Sequence, residues 1–171
     1  MGGALDVPGN LITPDSKSEN TKAEWNVFSD PLAAREVFES PLRVELIALD
    51  ATRHVQMDSC FVRAMSGGPD TPIRRYVGRI MDSAREWVNR GDYYAWDPLA
   101  AVALVDRGVV RVTPTPLRVA LSGPFPGWTY RSTSGRPVSV AMSADRRRFM
   151  QVFDAGLGAG RAAPIAAGCA G

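Results

Sequence analysis

The spacing of apolar residues along the chain predicts a succession of helices and short strands. Apolar side chains recur every three or four residues from Ile73 to Val88, which places them on one face of a helix. Two more helices are expected after the pairs Asp30-Pro31 and Asp97-Pro98, because Asp caps a helix and Pro favours its first position. The first is predicted over 31–38, and the second, over 99–105, is so apolar that we expect it to be buried.

Short runs of apolar and β-branched residues predict strands between these helices. The runs are 42–49, 109–113, 117–121 and 137–142. The second and third are separated by Pro114 and Pro116, which predicts two strands there. A closing helix is expected after Ser143, since Phe149, Val152 and Phe153 fit one helical face.

Both ends of the chain lack a regular pattern. Residues 1–24 are rich in Gly, Pro, Asn and Ser, which is typical of an exposed loop. Residues 156–171 are rich in Gly and Ala without periodicity, which predicts a disordered tail. We therefore expect one domain over 1–155.

Composition narrows the class of protein. Hydrophobic residues make up 45% of 171 positions and the net charge is +2, which indicates a globular chain without the charge footprint of a nucleic-acid or membrane binder. No apolar stretch reaches the roughly 20 residues that cross a bilayer, and no secretory signal opens the sequence. Cys60 and Cys169 have no metal-ligand spacing and predict neither a zinc site nor a disulfide framework. A cytoplasmic protein is expected.

Three segments are unusual and could carry chemistry: the loop 1–10, residues 23–26 and residues 93–97. In an extended segment, Glu24 and Asn26 would share one side while Trp25 points to a core. A carboxylate beside an amide can hold vicinal hydroxyls, although an ordinary pair of loop residues explains the same pattern. Asp97 follows Trp96, which would put an oxygen ligand beside a π-surface. The simpler interpretation of Asp97 is a helix N-cap, as for Asp30.

Five strings stand in a diagnostic order: MGGALDVPGN, AEWNVFSDPLAAREVF, LIALDAT, YYAWDPLAAVALVD and VVRVTPTPLRVAL. Over about residues 1–153 they resemble the carboxy-terminal half of inosine-uridine preferring nucleoside hydrolases. The YYAWD form is most similar to the purine-preferring inosine-adenosine-guanosine branch, since other branches place histidine at the position of Trp96. The resemblance implies an α/β fold with an open, mostly parallel Rossmann-like sheet, flanking helices and absent amino-terminal strands.

The resemblance also implies a function and a set of site residues. The family hydrolyses the N-glycosidic bond of ribonucleosides with calcium as cofactor, in purine salvage and catabolism. Asp97 corresponds to a calcium ligand and Trp96 to an aromatic that stacks on the base. The ribose contacts correspond to Met1, Asn10, Glu24 and Asn26, with Asn20 as a competing candidate for Asn10.

One family motif has no counterpart in the sequence. The family's first strand ends in Asp-x-Asp-Pro-Gly-x-Asp-Asp, which supplies the general base and most calcium ligands, whereas this sequence contains no Asp-Asp pair. We therefore expect no catalytic residue here, weak calcium binding, and a chain that is inactive alone. Missing strands would also leave unpaired sheet edges and apolar helix faces. The alternatives are a truncated hydrolase, a subunit of a split enzyme completed by an amino-terminal half, or a non-catalytic nucleoside-binding protein; a homo-oligomer is also open.

Overall fold

The computed structural model describes residues 1–12 and 18–159. The helices and strands follow one another in the order α1 (Trp25–Ser29), α2 (Pro31–Glu39), β1 (Glu45–Ile47), α3 (Leu49–Thr52), α4 (Ser59–Ser66), α5 (Pro72–Ser83), α6 (Arg85–Arg90), α7 (Trp96–Val105), β2 (Val110–Val119), β3 (Thr129–Arg131), β4 (Arg136–Ala144) and α8 (Arg146–Asp154). The expected α/β class, with helices flanking an open sheet, is confirmed. None of the described helices is both long and apolar enough to cross a membrane.

The chain forms two compact units, and each unit is built from two separate segments. Met1–Ala51 and Val110–Ser143 form the first unit. Thr52–Val109 and the described residues from Ala144 onward form the second. The first unit therefore contains the sheet, whereas the second is helical.

The sheet of the first unit is mixed, with the strand order β1-β4-β2-β3. β1 pairs in parallel with β4, and β2 pairs antiparallel with β3. Alternate strand residues point into a core that also receives residues from the helices, as the pleat requires. This core contains Val27, Phe38, Leu46, Ala48, Leu117, Val119, Val138 and Val140.

The predicted strands are corrected in two places. The run 42–49 yields only Glu45–Ile47, and the two runs around the prolines form one continuous strand, Val110–Val119. The carbonyl of Pro116 accepts from the Ser132 N–H at 3.0 Å, so the proline nitrogen, which cannot donate a hydrogen bond, points toward the same neighbouring segment. This segment lies beyond the end of β3, which spans only Thr129–Arg131, so the missing donor costs β2 little pairing.

The second unit packs α4 to α8 around aromatic and aliphatic side chains. The rings of Phe61 and Phe149 each lie within 5.7 Å of the Phe153 ring, centroid to centroid. An ion pair between Arg74 and Asp154, 2.6 Å long and almost wholly buried, joins α5 to the end of α8. Among the described residues, apolar packing and this buried charge pair both hold the unit together.

The predicted helix over 73–88 is two helices that meet at Ala84. Its backbone angles there, φ −94° and ψ 8°, leave the helical region, yet its N–H still bonds to the Ile80 carbonyl at 3.0 Å. The bend is thus a local turn in a nearly continuous helix. Met81 and Val88 are buried, whereas Ile73 is half exposed.

The helix predicted over 99–105 begins earlier, at Trp96, and the expectation that it is buried is wrong for one face. Leu99 is buried, but Leu104 and Val105 are 88% and 81% exposed. The helices predicted over 31–38 and after Ser143 are confirmed as α2 and α8.

The two ends also differ from their predictions. The described part of residues 1–24 is irregular but not simply exposed, since Gly2, Ala4 and Asn20 are buried. At the other end, Ala155–Ala159 forms an irregular helical turn within the predicted tail; the residues from 160 on lie outside the described ones. Cys60 is disulfide-bonded, contrary to expectation, and Cys169 lies outside the described residues.

Candidate functional site

Hydrogen bonds from five consecutive backbone N–H groups hold the amino-terminal loop to the rest of the first unit. Each N–H from Gly2 to Asp6 has an acceptor. These acceptors are the Ile47 carbonyl, Glu24 Oε2, Thr129 Oγ1, and Asp50 Oδ2 and Oδ1, in that order, at 2.8–3.1 Å. Since buried backbone donors need partners, these side chains fix the loop that carries Met1.

Glu24 joins this loop to the first turn of α1. Its side chain is 2% exposed, and its carboxylate accepts from the N–H groups of Gly3, Asn26 and Val27 at 3.0–3.2 Å. Glu24 is thus the N-cap of α1, which satisfies donors that a helix start leaves free. The extended segment expected here is wrong, and Trp25 is 60% exposed instead of buried.

Asn10 and Asn26 complete this cluster. Asn10 Oδ1 accepts from the Trp25 N–H at 2.8 Å, so its Nδ2 donors remain without a partner among the described residues. The Nδ2 of Asn26 lies 3.4 Å from the Met1 carbonyl oxygen and 3.5 Å from Met1 Sδ, which leaves Oδ1 as an open acceptor. The first unit therefore brings Met1, Asn10, Glu24 and Asn26 together at the amino end of α1.

The competing asparagine has a different environment. Asn20 is 6% exposed. Its Oδ1 accepts from the N–H groups of Lys22 and Ala23, and its Nδ2 donates to the Pro126 carbonyl at 2.9 Å. With both ends of its amide engaged, Asn20 shapes the turn before Glu24, and Asn10 is the asparagine with free donors.

An ion pair between Asp6 and Arg131 lies at the edge of the loop and changes the pKa of Asp6. Nη1 and Nη2 of the Arg131 guanidinium both donate to the Asp6 carboxylate, Nη2 to Oδ2 at 2.8 Å. The hydrogen bond from Arg131 lowers the pKa of Asp6 below its ordinary value of 3.8. Both side chains are about half exposed, so the pair steadies the loop only modestly.

The two Asp-Pro pairs, one in each unit, prove to be different. Asp30 caps α2 through a 2.9 Å bond from the Ala33 N–H. The N-cap of α7 is Ala95 without a side-chain bond, so Asp97 lies inside the first turn and the N-cap interpretation is wrong. Among the described residues, the exposed Asp97 carboxylate has neither a hydrogen-bond nor an ion-pair partner.

Aromatic rings surround the start of α7. The Trp96 ring centroid lies 5.5 Å from that of Tyr93, edge to face, and 6.0 Å from that of Tyr94. The loop that carries them is held by backbone bonds from Met57 to the Tyr93 carbonyl and from Ala95 to the Val55 carbonyl. A half-buried indole thus stands directly before the free carboxylate of Asp97.

The described residues do not form a complete metal centre. No group of three or more His, Cys, Asp or Glu side chains is arranged to hold an ion within the described ranges. Calcium takes roughly 6 to 8 oxygen ligands. The residues present therefore do not fit calcium by themselves, and Asp97 could contribute only part of its coordination.

Sequence reasoning missed the residues that support the cluster. Asp50 and Thr129 are buried and bind the loop, yet both are distant from it in sequence. The available signal was the polar Asp50 directly after the apolar run LIAL, because a buried carboxylate requires donors.

Comparisons with known proteins agree on one family. The sequence model described as "Inosine-uridine preferring nucleoside hydrolase" matches residues 1–151. Nucleoside hydrolase 3 of Arabidopsis thaliana is 33% identical over 98 residues, which cover 54% of this chain and 11% of that protein.

Solved structures show the same likeness. An inosine-uridine preferring nucleoside hydrolase from Bacillus anthracis is 26% identical with a TM-score of 0.71, over 89% of this chain and 47% of that one. A purine-preferring ribonucleoside hydrolase from Gardnerella vaginalis is 25% identical with a TM-score of 0.71, over 90% and 49%. The chain therefore spans about half the length of these structures and far less of the Arabidopsis protein.

Proposed function

The chain belongs to the inosine-uridine preferring nucleoside hydrolase family, and from this premise we propose that it forms the ribose- and base-binding part of an N-ribohydrolase site. The reaction is hydrolysis of the N-glycosidic bond of a ribonucleoside, with purines preferred, to the free base and ribose. The observation that carries the proposal is the Asp97 carboxylate, which has no partner among the described residues and stands beside Trp96.

The polar cluster on α1 has the chemistry needed for a sugar. A hydroxyl both donates and accepts a hydrogen bond. Asn10 offers free Nδ2 donors and Asn26 an open Oδ1 acceptor, while Glu24 orders the backbone between them. Fixing the ribose in one orientation lowers the entropic part of the barrier. We assign Met1, Asn10, Glu24 and Asn26 to the ribose.

The aromatic residues at the start of α7 fit the base. Trp96 presents a flat indole that Tyr93 and Tyr94 hold at its sides, and a purine offers more area for stacking than a pyrimidine. This is the support for a purine preference, and for Trp96 as the stacking residue.

The proposed cofactor is calcium, which would orient water and ribose hydroxyls when bound. Asp97 would be one ligand, and the remaining ligands and the general base would come from outside the described residues. Because the sequence has no Asp-Asp pair, we expect no hydrolysis by this chain alone.

A chimera tests the proposal. This chain replaces the matched part of the Gardnerella vaginalis enzyme, and release of ribose from inosine and uridine is measured with calcium. We expect turnover by the chimera but not by the chain alone. Asp97→Asn should lower kcat/KM at least about 100-fold, since even groups that only support metal ligands cost 10- to 100-fold.

Asp30→Asn is the matched control, because it alters the other Asp-Pro pair and should change kcat/KM less than about threefold. A well-folded chimera that hydrolyses neither nucleoside would refute the proposal. Turnover by the pure chain would refute the assignment of the general base to another segment.

A further inference from the structure

A groove of about 510 Å³ lies in the second unit between α4 and the helices α5 and α6. Its volume falls within the range of ligand sites in proteins, roughly 300 to 1,000 Å³. None of the residues that we assign to the ribose or the base belongs to its described lining. The proposed function therefore leaves this groove unexplained.

The floor of the groove is apolar and is kept open by a glycine. Gly78 lies in the interior of α5, where glycine is a poor helix former. No described atom lies within 4 Å of the position that a Cβ at Gly78 would take, so a side chain there would extend into the groove. The apolar residues of the floor are Val62, Met65, Met81 and Val88.

Arginines line the groove on both sides of this floor. Arg63 lies on α4, Arg75 on α5 and Arg85 on α6, and we term these three the rim arginines. Arg75 and Arg85 pair with Asp70 and Asp82, but these four side chains are all at least 55% exposed. Exposed ion pairs contribute little stability, so an incoming anion can compete with the two carboxylates for the guanidinium groups.

The buried Arg74 adds a donor that lacks an acceptor. Its Nη groups donate to the Met65 carbonyl and to Asp154, whereas its Nε has no partner among the described residues. A Cβ at Gly68 would come within 2.3 Å of Arg74 Cζ, and both residues line the groove, so the guanidinium lies directly beneath the lining. A buried donor without an acceptor is uncommon, and a ligand oxygen would supply one.

A phosphate ester is the anion that suits this arrangement. Guanidinium groups bind carboxylates and phosphates through paired hydrogen bonds. One guanidinium can occupy both oxygens of a carboxylate, whereas a phosphate group has three strong acceptor oxygens and can bridge arginines on the two sides of the groove. We propose that the groove binds a small organic phosphate, with its apolar body on the floor beside Gly78 and its phosphate group between the rim arginines.

Isothermal titration calorimetry of the full chain tests the ligand class. Naphthyl phosphate has both an apolar body and a phosphate group. Naphthoate carries a carboxylate instead, naphthol has no acid group, and inorganic phosphate has no apolar body. We expect naphthyl phosphate to bind with a Kd below about 1 mM, and the other three probes to bind at least about tenfold more weakly, because each lacks one part of the match.

Two variants test the place of binding. Arg75→Gln should weaken naphthyl phosphate about tenfold or more, since a charge-assisted hydrogen bond is lost. Arg79→Gln is the matched control, because Arg79 is exposed on the same helix but does not line the groove, and it should change the Kd less than about threefold.

Gly78→Leu should weaken naphthyl phosphate about 30-fold or more, because the leucine takes the place of the apolar body. Leucine is a better helix former than glycine, so the circular dichroism spectrum should be unchanged. Its control is Gly156→Leu, since Gly156 also has open space at its Cβ position but lies outside the groove.

The proposal is overturned if naphthyl phosphate does not bind, or if naphthol, naphthoate or inorganic phosphate binds equally well. Equal affinities of the Arg75→Gln and Arg79→Gln variants would also reject it, because the rim arginines would then play no part. Unchanged binding by a folded Gly78→Leu variant would mean that the phosphate binds elsewhere on the chain.

Discussion

The buried carboxylate of Glu24 stabilises the fold in addition to its proposed role at the site. Three backbone N–H groups from the loop and from α1 converge on it, so its first effect is on stability. In Glu24→Gln, an amide nitrogen replaces one acceptor oxygen and faces backbone donors. We expect a loss of about 2–3 kcal/mol in the free energy of unfolding, since buried donors lose their partner.

Urea denaturation of both variants measures this effect. Glu36→Gln is the control, because Glu36 is exposed on α2 and should change stability by less than about 0.5 kcal/mol. Equal losses in the two variants would mean that the Glu24 contacts do not stabilise the fold.

The lowered pKa of Asp6 predicts how the stability of the fold changes with pH. Arg131 lowers the pKa of Asp6 in the folded chain below the ordinary 3.8, so the unfolded chain takes up the proton first as pH falls. The pair therefore contributes stability that is complete above about pH 5 and lost as pH falls through the lowered pKa. Because both side chains are about half exposed, the contribution is below about 1 kcal/mol.

The measurement is a urea titration of the wild type and Asp6→Asn at several pH values. The difference between their unfolding free energies should be constant from about pH 7 to 5 and shrink below about pH 4. A difference that stays unchanged down to about pH 2 would contradict the assignment of this pair.

At the scale of elements, the Arg74–Asp154 pair predicts how strongly α5 is joined to the end of α8. Asp154→Ala leaves a guanidinium in a site only 7% exposed. We expect a loss of about 3–5 kcal/mol, because an unpaired buried charge is costly. The double variant Arg74→Met with Asp154→Leu should recover most of it, since an apolar pair can replace a buried ion pair.

Asp82→Ala provides the comparison, because its pair with Arg85 is exposed and should contribute less than about 1 kcal/mol. Thermal and urea unfolding of the three variants measure these losses of stability. If the double variant is no more stable than Asp154→Ala, desolvation of Arg74 is not the cause of the loss.

Helices were easier to predict than strands in this chain. α2 and α8 follow from local signals, an Asp cap or an apolar face, that a helix contains within itself. β2 does not, because whether Pro114 and Pro116 break a strand depends on where β3 ends, and β3 is distant in sequence. The bend at Ala84 has no local residue signal, since alanine favours a helix interior.

The candidate site was likewise predictable from the sequence only in part. Family motifs predicted Asp97 and the residues of the α1 cluster as site residues. The structure added the difference between Asp30 and Asp97 and the engagement of Asn20. Both depend on backbone geometry that residue types alone leave undetermined.

At the scale of the molecule, the resemblance to the family is confirmed by the match over residues 1–151. An exposed edge was expected where strands are absent, yet the Gly2 N–H bonds to the Ile47 carbonyl and the Leu49 N–H to the Gly3 carbonyl. The amino-terminal loop thus occupies the outer side of β1. The apolar helix face that was expected is present on α7.

Because the first unit is built from two separate segments, its sheet cannot form until both have been synthesised. β1 is synthesised before its parallel partner, Ser139–Ala141 of β4, which follows about ninety residues later. At roughly 5–20 residues per second, the nascent chain carries the apolar Leu46 and Ile47 for about 5–20 s before their partner strand is translated. During that interval the finished sheet cannot bury these side chains, and they remain open to association with other chains.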